Sequence, residues 1–91
     1  MAIKIYGSNL CPRTLAALAV FAAHKYTPIF INVTGSIGLM KEYVLLRDTN
    51  VIFKELLGTD KIGFPYFLLE DGTWTRDATQ AFASVGIVSE L

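Results

Sequence analysis

Cys11 is the residue whose type and position most suggest covalent chemistry. It stands in Tyr6-Gly7-Ser8-Asn9-Leu10-Cys11-Pro12-Arg13-Thr14, between a β-branched run and a stretch of strong helix formers. A helix N-terminus carries about half a positive charge, and its free N–H groups can bond to sulfur. Arg13 adds a full cation next to it. Such settings lower a cysteine pKa from about 8.5 toward 3.5–7.5. A lone cysteine is also commonly an inert small core residue. The placement at a helix start favours the reactive thiolate over that alternative. A second pattern is Ile62-Gly63-Phe64-Pro65. Proline cannot donate to a sheet ladder, so it belongs at a strand start or edge. Residue types alone leave both isomers of its peptide bond open.

Other chemistries find little support. His24 lies roughly 18–20 Å along the helix from Cys11 at 1.5 Å per residue, so it reads as a helix-end partner rather than a base. Glu42, Glu55, Glu70 and Asp71 are scattered, and no pair of them suggests hydrolysis. There is no glycine-rich phosphate loop. One cysteine and one histidine exclude an internal disulfide and the usual single-chain zinc site, so no metal ligands are assigned. Eight basic and eight acidic residues cancel, which argues against nucleic acid as a partner. Zero net charge also gives no repulsion against self-association, so a monomer or weak dimer is expected. The longest uncharged stretch, Tyr26 to Met40, holds Pro28, Gly35 and Gly38 and is too short to cross a membrane. Met1 to Gly7 does not read as a secretory signal, and the expected compartment is cytoplasmic and reducing. With 91 residues and a hydrophobic fraction of 53%, the chain has material for one packed domain, residues 1–91.

The elements that must position Cys11 follow from punctuation. Ala2 to Tyr6 reads as a strand ended by Gly7-Ser8-Asn9. Pro12 to Ala23 reads as a helix, with proline at its first position and apolar residues nearly all round, so it is expected to be largely buried. Ile29 to Val33 is a second strand. Ser36 is an N-cap for a helix over Ile37 to Arg47, with Met40, Tyr43, Val44 and Arg47 on one face and Asp48-Thr49-Asn50 interrupting it. A short helix over Val51 to Leu57 stops at Gly58. Phe64 to Glu70 and Thr73 to Arg76 are strands joined by the Asp71-Gly72 turn. Asp77 caps a last helix from Ala78 to about Ser84, and the tail from Gly86 to Leu91 is expected to be loosely held. This order, β-α-β-α-(α)-β-β-α, predicts an α/β fold with a four-stranded mixed sheet flanked by helices.

A Cys-Pro at the start of the first helix, an x-Pro opening the third strand about fifty residues later, and an Asp-Gly hairpin resemble the glutaredoxin family of the thioredoxin fold. The segment Leu45-Leu46-Arg47-Asp48, then Phe53, then Lys61-Ile62-Gly63-Phe64-Pro65, is most similar to small bacterial glutaredoxin-related proteins. The resemblance covers nearly the whole chain. It implies a cis Phe64–Pro65 peptide beside the Cys11 sulfur. It implies that the Phe64 backbone pairs with the cysteinyl part of a thiol peptide such as glutathione, and that Asp77 or Ala78 holds the glutamyl end. Tyr6, at the end of the first strand, is expected either to flank the thiol, as part of the substrate groove, or simply to pack.

The chain departs from the family pattern at three places. Thr14 replaces the second cysteine, so no intramolecular disulfide can form and a monothiol route remains. In that route the Cys11 thiolate attacks either sulfur of a glutathione mixed disulfide, and a second glutathione releases it. Thr14 either donates its hydroxyl to that thiolate or bonds its own backbone. Ser8 replaces a lysine that binds the ligand's glycine carboxylate, with Arg13, Arg47 or Lys61 as substitutes. The Gly-Gly before the last helix is absent. The implied activity is thiol–disulfide exchange on glutathione or a glutathionylated protein, with Cys11, Pro12, Arg13 and Thr14 as its catalytic loop. The alternative is a non-catalytic binding module of the same fold. Monothiol relatives also hold a [2Fe–2S] cluster between two chains, a role ranked below thiol chemistry because Pro12 stiffens the loop where they have glycine. An arsenate-reductase-like reading ranks lower still, because it lacks evident anion-binding arginines.

Overall fold

A computed structural model describes residues 2–59 and 61–88. The β-branched and aromatic runs form one mixed sheet of β1 (Lys4–Gly7), β2 (Ile29–Asn32), β3 (Tyr66–Leu68) and β4 (Trp74–Thr75). The spatial order is β2-β1-β3-β4. β1 and β2 are parallel, with Lys4 opposite Ile29 and Gly7 opposite Asn32, and the helix α1 (Pro12–Ala23) connects them. β3 runs antiparallel to both β1 and β4. The expected α/β architecture with four mixed strands is therefore present.

Alternation along the strands divides the interior into two layers. Ile3, Ile5, Phe67 and Leu69 face α1 and α3 (Ala78–Ser84), meeting Ala17, Phe21, Ala81 and Phe82. Tyr66 faces the other way, toward Val33, Tyr43 of α2 (Ile37–Thr49), and Phe53 and Leu56 of a 3₁₀ segment (Val51–Leu56). Each layer is closed by edge-to-face aromatic contacts, Phe21 on Phe82 at 4.9 Å and Phe53 on Tyr66 at 5.1 Å.

Several expectations need correction. α1 is not buried all round: Thr14, Ala17 and Phe21 form one buried stripe, while Leu15, Ala19, Ala22 and Ala23 are exposed. Only one face meets the sheet, and alanine serves the outer positions through its helix propensity. α2 runs on through Asp48 and Thr49, because the Thr49 hydroxyl bonds back to the Leu45 carbonyl and the Asn50 N–H closes on Leu46. Val44 points outward, and the inner face is Met40, Tyr43, Leu46 and Arg47. β3 begins only at Tyr66, after a cis Phe64–Pro65 peptide. The tail is not loose at Ile87, which is buried and donates its N–H to the Phe82 carbonyl; residues 89–91 lie outside the described residues. Among the described residues no helix is long and apolar enough to cross a membrane.

Candidate active site

The thiol is positioned by a short loop that three neighbours tie down. The Ser8 carbonyl accepts the Cys11 N–H at 3.0 Å. The Ser8 hydroxyl lies 2.7 Å from that of Thr34 and accepts the Leu10 N–H. Asn9 and Asn32 exchange two hydrogen bonds at 3.3 Å, fixing the loop to the end of β2. Cys11 then takes the N-cap position of α1 in an extended conformation, and Pro12 occupies the first helical position, where its missing N–H leaves nothing unpaired.

Cys11 is half-buried. Desolvation pushes its pKa up. The Thr14 hydroxyl, the N–H groups of Thr14 and Arg13, and the Arg13 guanidinium outweigh that and hold it below the ordinary thiol value. The sulfur closes no capping hydrogen bond within normal geometry, so these donors lower its pKa from nearby and not through a formed cap. Thr14 is fully buried, and its Oγ1 also accepts the Ser8 N–H at 3.4 Å. It can come this close to β1 only because Gly7 has no side chain: a Cβ there would lie 2.3 Å from Thr14 Oγ1.

Cys11 opens onto a groove of about 1140 Å³. Arg13 and the exposed Leu10 flank it, and the facing wall is Lys61, Ile62, Gly63, Phe64 and Pro65. That wall hangs from α2. The Tyr43 hydroxyl donates to the Ile62 carbonyl, and Arg47 Nη2 donates to the carbonyls of Leu56, Thr59 and Lys61 at 2.9–3.2 Å. Gly63 adopts φ +87°, and a Cβ there would lie 2.5 Å from Leu56 Cδ1. The far end is Arg76, Asp77 and Ala78 at the start of α3. Asp77 Oδ1 caps α3 by accepting from the Thr79 and Gln80 N–H groups. Arg76 Nε donates to the Ile52 carbonyl at 2.7 Å, and its Nη2 lies 3.8 Å from Glu55. Among the described residues the groove is lined by three cations, Arg13, Lys61 and Arg76, and by one carboxylate, Asp77, which is already used as a cap.

Of the residues expected at the site, Cys11, Arg13, Phe64, Pro65, Asp77 and Ala78 line this groove, and Pro12 and Thr14 build the turn behind the thiol. Tyr6 does not line it. Its side chain leaves the opposite face of the sheet and stacks on Tyr66 at 4.9 Å. The alternation of Ile3, Ile5 and Gly7 with Lys4 and Tyr6 was the signal for this, since Gly7 must face Thr14. Arg47 does not line the groove; its Nη2 donates to three backbone carbonyls of the wall instead. The Phe64 ring packs on Tyr43 at 4.9 Å. Arg76 was missed; its place beside the Asp77 cap could have flagged it. His24 is exposed and bonds back to the Val20 carbonyl, away from the groove. Among the described residues no three His, Cys, Asp or Glu side chains gather as a metal site. Scans against family models, curated protein sequences and solved structures each return no match to this chain.

Proposed function

We propose that this chain is a glutaredoxin-like, thioredoxin-fold protein that carries out monothiol thiol–disulfide exchange on glutathione mixed disulfides. The observation that carries the reading is a thiol of lowered pKa at the start of α1, sharing one groove with Phe64 and Pro65. The strand order β2-β1-β3-β4, with the thiol after β1 and the proline before β3, supports the fold assignment. In the reaction the Cys11 thiolate attacks the glutathione sulfur of a protein–glutathione disulfide. A Cys11–glutathione disulfide forms, the original S–S bond breaks, and the substrate leaves as a thiolate that takes up a proton. A second glutathione thiolate then attacks the glutathione sulfur on Cys11, giving glutathione disulfide and restoring the Cys11 thiolate.

Each neighbour has a role in this scheme. Thr14 and Arg13 stabilise the thiolate as nucleophile and as leaving group. The Phe64 backbone pairs with the cysteinyl part of glutathione, and the α3 start at Asp77 and Ala78 receives its glutamyl end. Ser8 lines the groove with a neutral hydroxyl, bonded to Thr34, where the family pattern has a cation. Lys61, Arg76 and Arg13 supply that positive charge instead. Exposed Leu10 and Ile62, at 79% and 56%, give the groove an apolar rim for the protein half of the disulfide.

The test is the pH dependence of Cys11 alkylation by iodoacetamide in the folded protein, followed by mass spectrometry after addition of glutathione disulfide. A midpoint below about 8.5 and a single glutathione on Cys11 are expected. A thiol that titrates at the ordinary value, or reacts only after unfolding, overturns the reading.

A further inference from the structure

On the opposite face of the sheet a second cavity, of about 180 Å³, lies between α2 and strands β1, β3 and β4. Each of those strands contributes one aromatic ring to it: Tyr6, Tyr66 and Trp74. α2 contributes Leu39, Leu46 and a single charged group, Glu42. The tyrosine rings are parallel, 4.9 Å apart, and Trp74 is inclined to them by 44° and 39° at 5.5 and 6.0 Å. The three rings touch one another, and Tyr66 is buried under Tyr43 and Phe53 as well, so the cavity lies beside the ring cluster and not between its members, with Tyr6 and Trp74 as its more open rings. Tyr6 and Trp74 are half-buried and Glu42 is exposed, so the cavity is open to solvent.

The chemistry of these walls is one-sided. Aromatic faces carry negative quadrupole potential, and a carboxylate adds to it. No cation lines the cavity among the described residues. Desolvation first, and the Glu42 charge second, hold the Tyr6 hydroxyl above the usual phenol range. Tyr66 is raised by desolvation and then by Tyr6, Tyr43 and Glu42. An anion is repelled by this setting. A primary ammonium or a metal ion would give up a strong hydration shell to leucines and ring faces. A cation whose charge is spread over methyl groups loses little water and gains from every wall. We propose that this cavity binds a small alkylated ammonium ion as a free solute, with Tyr6, Tyr66 and Trp74 as its aromatic walls and Glu42 as its counter-ion. The site lies across the sheet from Cys11 and does not depend on the thiol reaction.

Trp74 is the only tryptophan in the chain, so its fluorescence reports on this cavity alone. The full chain is titrated with tetramethylammonium chloride, choline, methylammonium and 3,3-dimethylbutan-1-ol, the uncharged isostere of choline, against a sodium chloride control. A saturable change with tetramethylammonium and choline is expected, with methylammonium and the alcohol about five-fold weaker or more. Glu42→Gln should weaken choline by a similar factor while circular dichroism stays unchanged. If the alcohol matches choline, the cavity is merely apolar and the proposal fails. It fails equally if no titrant saturates, or if the response appears only with phosphatidylcholine vesicles. The choline and alcohol pair on the parent chain decides the matter even if Glu42→Gln does not fold.

Discussion

Gly7→Ala should destabilise the protein by about 1–3 kcal/mol, the range for overfilling a packed site. Gly7 lies in β1 and is not among the residues with positive φ, so alanine meets no backbone penalty there. The penalty is steric and has an identified source. An added Cβ would sit 2.3 Å from Thr14 Oγ1, 2.7 Å from its Cγ2 and 3.1 Å from its Cβ. Thr14 is fully buried, so it cannot swing away without moving the first turn of α1. Thr14→Ala removes the two worst contacts and leaves only the third, which a shift of a few tenths of an ångström relieves. The two substitutions together should therefore cost less than their sum, with a coupling of about 0.5–3 kcal/mol in the favourable direction. Thermal unfolding followed by circular dichroism reads this directly, since a domain of this size shifts by roughly 4–8 °C per kcal/mol. Gly7→Ala should also slow Cys11 alkylation at fixed pH, because the displaced turn carries the N–H groups that face the sulfur. Additive costs within about 0.3–0.5 kcal/mol would refute the claim that Gly7 exists to admit Thr14.

Three further outcomes follow from the same geometry. Gly63→Ala combines a left-handed backbone with a contact to Leu56 and should cost about 1–3 kcal/mol in urea unfolding; a neutral result would mean the groove wall is looser than its hydrogen bonds to Tyr43 and Arg47 imply. Asp77→Ala removes the cap of a seven-residue helix and should cost about 0.5–2 kcal/mol, while Asp77→Asn retains most of it; equal losses in both variants would count against the capping role. Cys11 has a folded pKa below its ordinary value, so the unfolded chain binds more protons there as pH rises between the two. The parent's stability relative to Cys11→Ser should therefore increase with pH across that window and fall away below the folded value. A difference that stays flat with pH would contradict this, as would a Thr14→Val variant whose alkylation midpoint does not rise.

The wall facing Cys11 shows how a site can depend on residues that never touch a ligand. After the 3₁₀ segment ends at Leu56, the described residues 57–59, 61 and 62 form no strand, so no ladder bonds hold this wall and its carbonyls. Arg47 offers one nitrogen to three of these carbonyls, and Tyr43 holds a fourth. These two residues lie one turn apart on α2, so a single helix face organises the loop. In sequence Arg47 looks like a ligand cation; in the fold it is a strut. Of the cations read as alternatives at the Ser8 position, Arg13 and Lys61 line the groove and Arg47 does not, while Arg76 reaches it from a different segment.

What the sequence determined by itself was local. Pro12 fits only the first turn of a helix, which fixes Cys11 at its cap. Ser36 and Asp77 accept N–H groups two or three positions ahead, which starts α2 and α3. Gly72 takes φ +90° after Asp71, which turns β3 into β4. Each of these contacts closes within a few residues, so residue type and spacing suffice. The tertiary structure alone decided that α1 buries one stripe and that the Ser8 hydroxyl is tied to Thr34 at the edge of the groove, whereas strand alternation already marks Tyr6 for the face opposite Gly7. It also brought Arg76 to Ile52 and Lys61 opposite Cys11. Those contacts join residues separated by 24 to 50 positions, where the packing of two faces of one sheet, and not local preference, selects the partner.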